Sequence, residues 1–109
     1  MCGIAGGIAR AQSLVTRATL ERMLHSIEHR GPDGHGMCEY TAANGDRVLL
    51  GHRRLAIIDP VGAKQPMVDD AAQLALTFNG EIYNFRELRD QLQACGYRFA
   101  LHSDTEVLL

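Results

Sequence analysis

The strongest structural signal in this sequence is a hairpin in the middle of the chain. An Asn44-Gly45-Asp46 turn separates two strand-like segments, residues 37–41 and 47–52. Asn-Gly is a favoured pair in tight hairpin turns because both residues tolerate positive φ angles. We therefore expect two antiparallel strands here, joined by this turn.

Strands and helices are predicted on both sides of the hairpin. A first helix should begin at Thr16 or Thr19, end near His29 and be followed by Gly31 as a left-handed cap. Its apolar positions recur at helical spacing, so we assign them to the core. They are Leu20, Met23, Leu24 and Ile27. A buried strand is expected at residues 2–9, and further strands at 73–78 and 97–101. A second helix should begin at residue 84 or 85 with a capping box of Asn84 and Glu87, and end at Gly96. Ser103 and Glu106 form another possible capping box, so a third helix should begin there, and its start near the last residue suggests truncation.

Composition excludes several classes of protein. The 109 residues carry a net charge of −2 and are 46% hydrophobic, a balance that favours neither nucleic acid nor a membrane surface as partner. No apolar run approaches the roughly 20 residues of a membrane span, and no signal peptide precedes Cys2. We expect a cytoplasmic protein.

The cysteines and histidines do not form a metal-binding pattern. The three cysteines are widely spaced, and no Cys-x-x-Cys pair is present. His25 and His29 lie four residues apart on the first helix and are expected at the surface. We therefore predict no metal in this chain, with Cys38 and Cys95 as inert thiols.

Cys2 directly follows the initiator methionine, which suggests an N-terminal nucleophile. Removal of Met1 would leave a thiol and a free α-amine on the same residue. An α-amine has an ordinary pKa of roughly 7.7–8.0 and can serve as the base for a neighbouring nucleophile. The alternative is a small buried residue in the first strand, which is common for cysteine.

Two arginines, Arg53 and Arg54, interrupt an otherwise buried-looking segment. A guanidinium in such a place needs an anionic partner, and its planar fork can hold a carboxylate through two hydrogen bonds. The partner is either a ligand carboxylate or one of the 13 acidic residues of the chain. Adjacent residues of an extended segment point to opposite faces. If one of the two arginines binds a ligand, its neighbour should therefore point away from that ligand and tolerate replacement by lysine.

Asn79 and Gly80 follow the end of a predicted strand. A side-chain amide and a glycine N–H at a strand end can direct two donors at one oxygen, as an oxyanion hole requires. The alternative is an ordinary turn, since Asn-Gly is also a common turn pair.

Five segments in this order resemble the glutaminase domain of the class II, N-terminal-nucleophile glutamine amidotransferases, and most closely the variant found in glutamine-hydrolysing asparagine synthetases. They are Cys2-Gly3-Ile4, His29-Arg30-Gly31-Pro32-Asp33-Gly34, Gly51-His52-Arg53-Arg54-Leu55-Ala56-Ile57-Ile58-Asp59, Asn79-Gly80-Glu81-Ile82-Tyr83-Asn84 and Ser103-Asp104-Thr105-Glu106-Val107. The resemblance implies an α+β fold. Residues 1–109 would form the first part of an αββα sandwich and a partial glutaminase domain, without the synthetase domain.

The resemblance also implies a role for each site residue. Cys2, once Met1 is removed, would attack the side-chain amide of glutamine while its α-amine moves the proton. Asn79 and Gly80 would form the oxyanion hole. The α-carboxylate of glutamine would be held by Arg54 with backbone groups of Ile57 and Ile58, and its α-amine by Glu81 and Asp104.

The expected partners follow from the same resemblance. The substrate would be glutamine, and the ammonia released would feed an ATP-dependent amidation, most readily of aspartate, in the synthetase domain. No cofactor is expected for the glutaminase reaction, whereas ATP and Mg are expected for the synthetase domain. The chain could also form a homodimer. The alternative function is an inactive fragment or a regulatory module that binds a partner.

Overall fold

The structure, a computed structural model, describes residues 1–10, 13–55 and 64–109. Strands and helices are mixed along the chain, which is compatible with the predicted α+β class. The described elements are β1 (Gly3–Ala9), α1 (Arg17–Ser26), a 3₁₀ helix (Glu28–Arg30), β2 (Gly34–Thr41), β3 (Arg47–Arg54), β4 (Met67–Asp69), β5 (Leu74–Leu76), α2 (Phe85–Ala94) and a second 3₁₀ helix (Thr105–Val107).

Strands β1, β2 and β3 form an antiparallel sheet in the order β1-β3-β2. The predicted hairpin between β2 and β3 is confirmed. Gly45 has a φ of 85°, and the Asn44 Oδ1 atom accepts a hydrogen bond from the Asp46 N–H at 3.0 Å. In the β1–β3 register Gly3 pairs with Arg53, so Cys2 lies beside the end of β3.

Helix α1 packs on one face of this sheet and forms the apolar core. The helix is capped by Thr16, whose hydroxyl accepts a hydrogen bond from the Thr19 N–H at 3.2 Å. Met23 is 38% exposed, so its predicted place in the core is wrong, because α1 turns this side chain away from the sheet. The core consists of Ala9, Leu20, Leu24 and Leu49, with Ile27 packed at its edge.

The opposite face of β1 is open among the described residues. Ile4 and Ile8 are 50% and 63% exposed, whereas Gly3 and Ala9 on the α1 face are buried. The prediction of a buried strand at residues 2–9 is therefore right for one face only. Side chains alternate along a strand, and α1 covers a single face.

Gly31 departs from the predicted left-handed cap. Its φ is −150°, an ordinary value for any residue. The position nevertheless requires glycine, because a Cβ atom there would lie 2.5 Å from the backbone of Arg53 and Arg54. The predicted left-handed cap of α2 is found at Gly96, where φ is 97°.

The predicted strand at residues 97–101 is absent from the described structure. The backbone N–H groups of Ala100 and Leu101 donate instead to the Glu106 carboxylate at 2.7 and 2.9 Å. The Glu106 side chain is therefore not available to the Ser103 N–H. The other bond of the capping box is present, because the Ser103 hydroxyl accepts a hydrogen bond from the Glu106 N–H at 3.3 Å. Only half of that predicted capping box forms, and Asn84 makes no side-chain cap at all.

Neither a membrane-spanning helix nor a metal-binding cluster is present among the described residues. The helices found there are too short or too polar to cross a bilayer. No group of three or more His, Cys, Asp or Glu side chains in the same residues is arranged to hold a metal ion. His25 and His29 are exposed, as expected.

Candidate active site

One cavity of about 320 Å³ lies beside the end of β3 and the segment that follows β5. Its wall includes six of the eight residues predicted for the site. The first and last of these six, Cys2 and Asp104, are 102 positions apart in the sequence. Ile57 and Ile58 lie outside the described residues. The six are Cys2, Arg54, Asn79, Gly80, Glu81 and Asp104.

The Cys2 thiol is anchored to the chain that leaves β3. Its Sγ atom accepts a hydrogen bond from the Leu55 N–H at 3.3 Å and lies 3.6 Å from the Leu55 carbonyl oxygen. The Arg30 Nε–H donates to the Cys2 carbonyl oxygen at 3.3 Å. Cys2 is half-buried at the cavity wall and is not part of the apolar core.

Met1 precedes this thiol and also lines the cavity, with 77% of its surface exposed. In this chain the Cys2 nitrogen is part of the peptide bond to Met1. An amide nitrogen is not a base, so Cys2 gains an amine base only when Met1 is removed.

The two adjacent arginines have different surroundings. Arg53 is buried against α1, where its guanidinium donates to the Leu24 carbonyl oxygen and pairs with Glu28, both at 3.0 Å. Arg54 lines the cavity on the opposite face of β3. The two side chains therefore lie on opposite faces of β3, as predicted, and Arg53 forms a structural ion pair with Glu28. The expectation that lysine is tolerated at Arg53 therefore conflicts with its contacts.

Asn79 and Gly80 lie just beyond β5, at the rim of the cavity. Both residues are exposed, and the chain bends at Gly80. A Cβ atom at Gly80 would lie 2.6 Å from the tip of the Phe78 ring, so a larger residue there would require the ring to move. Gly80 and the Phe78 ring are thus closely packed at the edge of the cavity.

The acidic side of the cavity is formed by Glu81 and Asp104. Glu81 is exposed, whereas Asp104 is only 7% exposed. The Asp104 Oδ2 atom accepts a hydrogen bond from the Ile82 N–H at 3.0 Å, which fixes the carboxylate. Arg54 lines the same cavity, which therefore offers a cation and two carboxylates. That charge set complements an amino acid zwitterion.

His52 was missed as a site residue by sequence reasoning, although it lies two positions before Arg54 on the same face of β3. It is 1% exposed, lines the cavity, and its Nδ1 atom lies 2.9 Å from the Thr77 hydroxyl. Its Nε2 atom has no hydrogen-bond partner in the described structure. Burial, and secondarily the charge of Arg54, lowers the pKa of His52 to about 4. The period-two pattern of a strand was the signal that could have found it.

Gln65 was also missed, and no pattern in the sequence singles it out. It lies just before β4 and lines the same cavity. Its side-chain amide contacts the segment after β5 and the second 3₁₀ helix. These contacts cross long stretches of sequence, so only the folded chain reveals them.

The chain belongs to the glutamine amidotransferase domain family, because the sequence model of that family matches residues 1–109. This confirms the family indicated by the five sequence segments. Among its relatives, asparagine synthetases (glutamine-hydrolyzing) 3 and 1 of Bacillus subtilis (strain 168) are 39% and 41% identical over 112 aligned positions. Asparagine synthetase (glutamine-hydrolyzing) of Asparagus officinalis is 39% identical over 109 positions.

These matches cover 99–100% of this chain but only 17% of each relative. The chain therefore spans about a sixth of the length of the proteins it matches. No solved structure matches it.

Proposed function

We propose that this chain hydrolyses glutamine to glutamate and ammonia, with Cys2 as the nucleophile. The observation that carries the proposal is that one and the same cavity is lined by a cysteine thiol, an amide donor pair, an arginine and two carboxylates. Membership of the glutamine amidotransferase domain family supports the same reaction.

The charges around the cavity would bind the backbone end of glutamine. The Arg54 guanidinium suits the α-carboxylate because its planar fork can donate two parallel hydrogen bonds. Glu81 and Asp104 would accept hydrogen bonds from the α-ammonium group. Held at both ends of its zwitterion, the substrate would present its side-chain amide to Cys2.

The reaction would begin after Met1 is removed. The free α-amine of Cys2 takes the thiol proton, and the sulfur attacks the side-chain carbonyl carbon of glutamine. The Asn79 side-chain amide and the Gly80 N–H would stabilise the oxyanion that forms. The intermediate collapses when the C–N bond breaks and the α-ammonium returns its proton to the leaving nitrogen as ammonia. Water then cleaves the thioester to give glutamate and the free thiol.

A longer protein would use the ammonia. We propose that residues 1–109 are part of a glutaminase domain joined to a synthetase domain, where ATP and Mg would drive amidation of an acceptor, most readily aspartate. The names of the relatives and the small share of their length matched here support this. The full domain would be an αββα sandwich of the N-terminal-nucleophile type in a cytoplasmic protein, with the open β1 face covered by further chain.

Replacement of the nucleophile tests the proposal directly. In the full-length protein, Cys2→Ala should lower glutamine hydrolysis by at least about 10⁴-fold and leave ammonia-dependent synthesis intact, because ammonia bypasses only the thioester steps. Cys38→Ala is the matched control. Cys38 lies in β2, and burial raises the pKa of its thiol, which disfavours the thiolate.

Two further measurements complete this test. An electrophilic glutamine analogue should label Cys2 alone, and the mass of the N-terminal peptide should show that Met1 is gone. Retained hydrolysis in Cys2→Ala, or an adduct on Cys38 or Cys95, would refute the nucleophile. An intact Met1 with no turnover in the wild type would favour the regulatory or inactive module.

A further inference from the structure

The segment that carries the proposed oxyanion donors lies outside the regular sheet. Strand β5 ends at Leu76, which pairs with Met67 in the last step of the β4–β5 ladder. Residues 77–80 follow without regular secondary structure. Their position must therefore be set by contacts other than strand pairing, and an oxyanion hole tolerates little error in the position of its donors.

The Gln65 side chain supplies one such contact. Its Oε1 atom accepts a hydrogen bond from the Phe78 N–H at 2.7 Å, directly before Asn79. A second contact comes from His52, whose Nδ1 atom lies 2.9 Å from the Thr77 hydroxyl. The segment is thus held from two sides, one residue apart, immediately ahead of the proposed donors.

The other end of the Gln65 amide reaches the acidic side of the cavity. Its Nε2 atom donates to the Thr105 hydroxyl oxygen at 3.3 Å. The Thr105 hydroxyl in turn lies 3.5 Å from Oδ1 of Asp104, the carboxylate proposed to bind the α-ammonium group. Thr105 and Asp104 are 3% and 7% exposed, so this end of the chain of polar groups is shielded from water, whereas Gln65 is half-buried at the cavity.

The backbone of Gln65 is itself fixed against the sheet. Its carbonyl oxygen lies so close to Gly36 of β2 that a Cβ atom there would be 2.1 Å away. The side-chain amide therefore extends from a closely packed point and contacts both Phe78 and Thr105. Only an amide supplies both the acceptor for Phe78 and the donor for Thr105 on one side chain of this length.

We propose that Gln65 is a positioning residue that sets the oxyanion donors at Asn79 and Gly80 in register with the amine-binding carboxylate of Asp104. The inference rests on the proposed glutaminase function and deepens it. Gln65 does not act on the reacting atoms. It acts through its hydrogen bonds to Phe78 and Thr105.

The two arms of the bridge predict different kinetic effects. Gln65→Ala in the full-length protein should lower kcat for glutamine hydrolysis about 10- to 100-fold, because the donors lose their fixed position. Thr105→Val keeps the Phe78 arm and removes the hydroxyl beside Asp104, so it should mainly raise KM, with kcat changed less than about 3-fold. Gln93→Ala on the exposed surface of α2 is the matched control and should leave both constants unchanged.

Labelling of Cys2 separates positioning from general damage. An electrophilic glutamine analogue depends on the oxyanion hole, so Gln65→Ala should slow its reaction by a similar factor. Iodoacetamide needs only an accessible thiol and should react at the wild-type rate. Ammonia-dependent synthesis should also be unchanged.

The outcomes are distinct. An active wild type with unchanged kcat in Gln65→Ala overturns the positioning role and leaves the glutaminase proposal standing. Equal losses in glutamine hydrolysis, iodoacetamide labelling and ammonia-dependent synthesis would make Gln65 merely structural and also overturn it. A wild type that hydrolyses no glutamine overturns the proposed function itself.

Discussion

The sheet region, residues 3–54, and the C-terminal region, residues 64–109, differ in the apolar side chains that they bury. The sheet region buries Ala9, Leu20, Leu24 and Leu49 to 2% exposure or less. In the described C-terminal region the most buried side chains are polar, and Met67 is the one hydrophobic residue that is similarly covered. These polar residues are Ser103, Asp104 and Thr105.

This difference bears on how the side chains of the candidate site are positioned. Apolar burial is non-directional and stabilises a leucine by about 1.5–3 kcal/mol. A hydrogen bond contributes only about 0.5–1.5 kcal/mol but fixes a direction. The C-terminal region supplies most of the proposed donors and carboxylates, and its contacts are of the directional kind. The sheet region supplies the rigid support on which they rest.

The largest expected effect tests the apolar side of the comparison. Leu49→Ala in β3 should cost about 2–5 kcal/mol, because it opens a cavity against Leu20 and Leu24. Leu74→Ala is the matched control in β5, where the side chain is already 47% exposed, and should cost about 1 kcal/mol. Amide hydrogen exchange in the full-length protein would measure both opening free energies. Equal costs would contradict the division between the two regions.

A smaller effect is expected from the adjacent arginines. Arg53→Lys should cost about 1.5–3 kcal/mol in the opening free energy of β3, because lysine cannot reproduce the two directed bonds to Leu24 and Glu28. Arg54→Lys should instead lower kcat/KM for glutamine roughly 10- to 150-fold. The readouts are hydrogen exchange and glutaminase kinetics for both variants. If Arg54→Lys instead lowers the opening free energy and Arg53→Lys lowers kcat/KM, then Arg53 is the residue that binds the substrate carboxylate.

The smallest expected effect concerns the boundary between the regions, where His52 meets Thr77. The pKa of His52 is lowered from 6.5 to about 4 in the folded chain, so the unfolded chain binds more protons between these values. Stability is therefore complete above pH 6.5 and falls as the pH drops towards 4. By about pH 5.5 the loss should be about 1.4 kcal/mol.

The measurement is the opening free energy of β3 at about pH 7 and pH 5.5, with exchange rates corrected for their intrinsic pH dependence. His52→Asn should remove this part of the loss. His29→Asn, at an exposed position, should retain it. An unchanged pH dependence in His52→Asn would show that His52 is not the source of this loss.

Local signals predicted much of the sheet region. The Asn44-Gly45 turn, the Thr16 cap and the helical spacing of Leu20 and Leu24 depend on neighbours a few residues away. The predictions for this region were wrong where contacts with distant parts of the chain determine the structure. Ile4 is exposed because only one face of β1 is covered, and Gly31 is required by the backbone of β3.

The candidate site shows the same division. Six of its residues could be named because short motifs mark them, and the structure brings them to one cavity. Their roles remain predictions. His52 and Gln65 were missed because their contacts to Thr77 and Phe78 cross 25 and 13 positions of the chain. The period-two pattern of β3 could have indicated His52, which lies on the same face as Arg54, whereas no local pattern singles out Gln65.

The β1–β3 register has a consequence for how this chain can change in evolution. Because Gly3 faces Arg53 and Ala9 faces Arg47, one end of the ladder lies at the cavity and the other lies at the hairpin turn. A residue gained or lost within β1 would shift Cys2 by one position and turn alternate side chains to the wrong face. Changes in length can be absorbed only at the distal end, after Ala9 or within residues 42–46. Insertions and deletions among homologues should therefore accumulate there, about 20 Å from the thiol, at roughly 3.3 Å per strand residue.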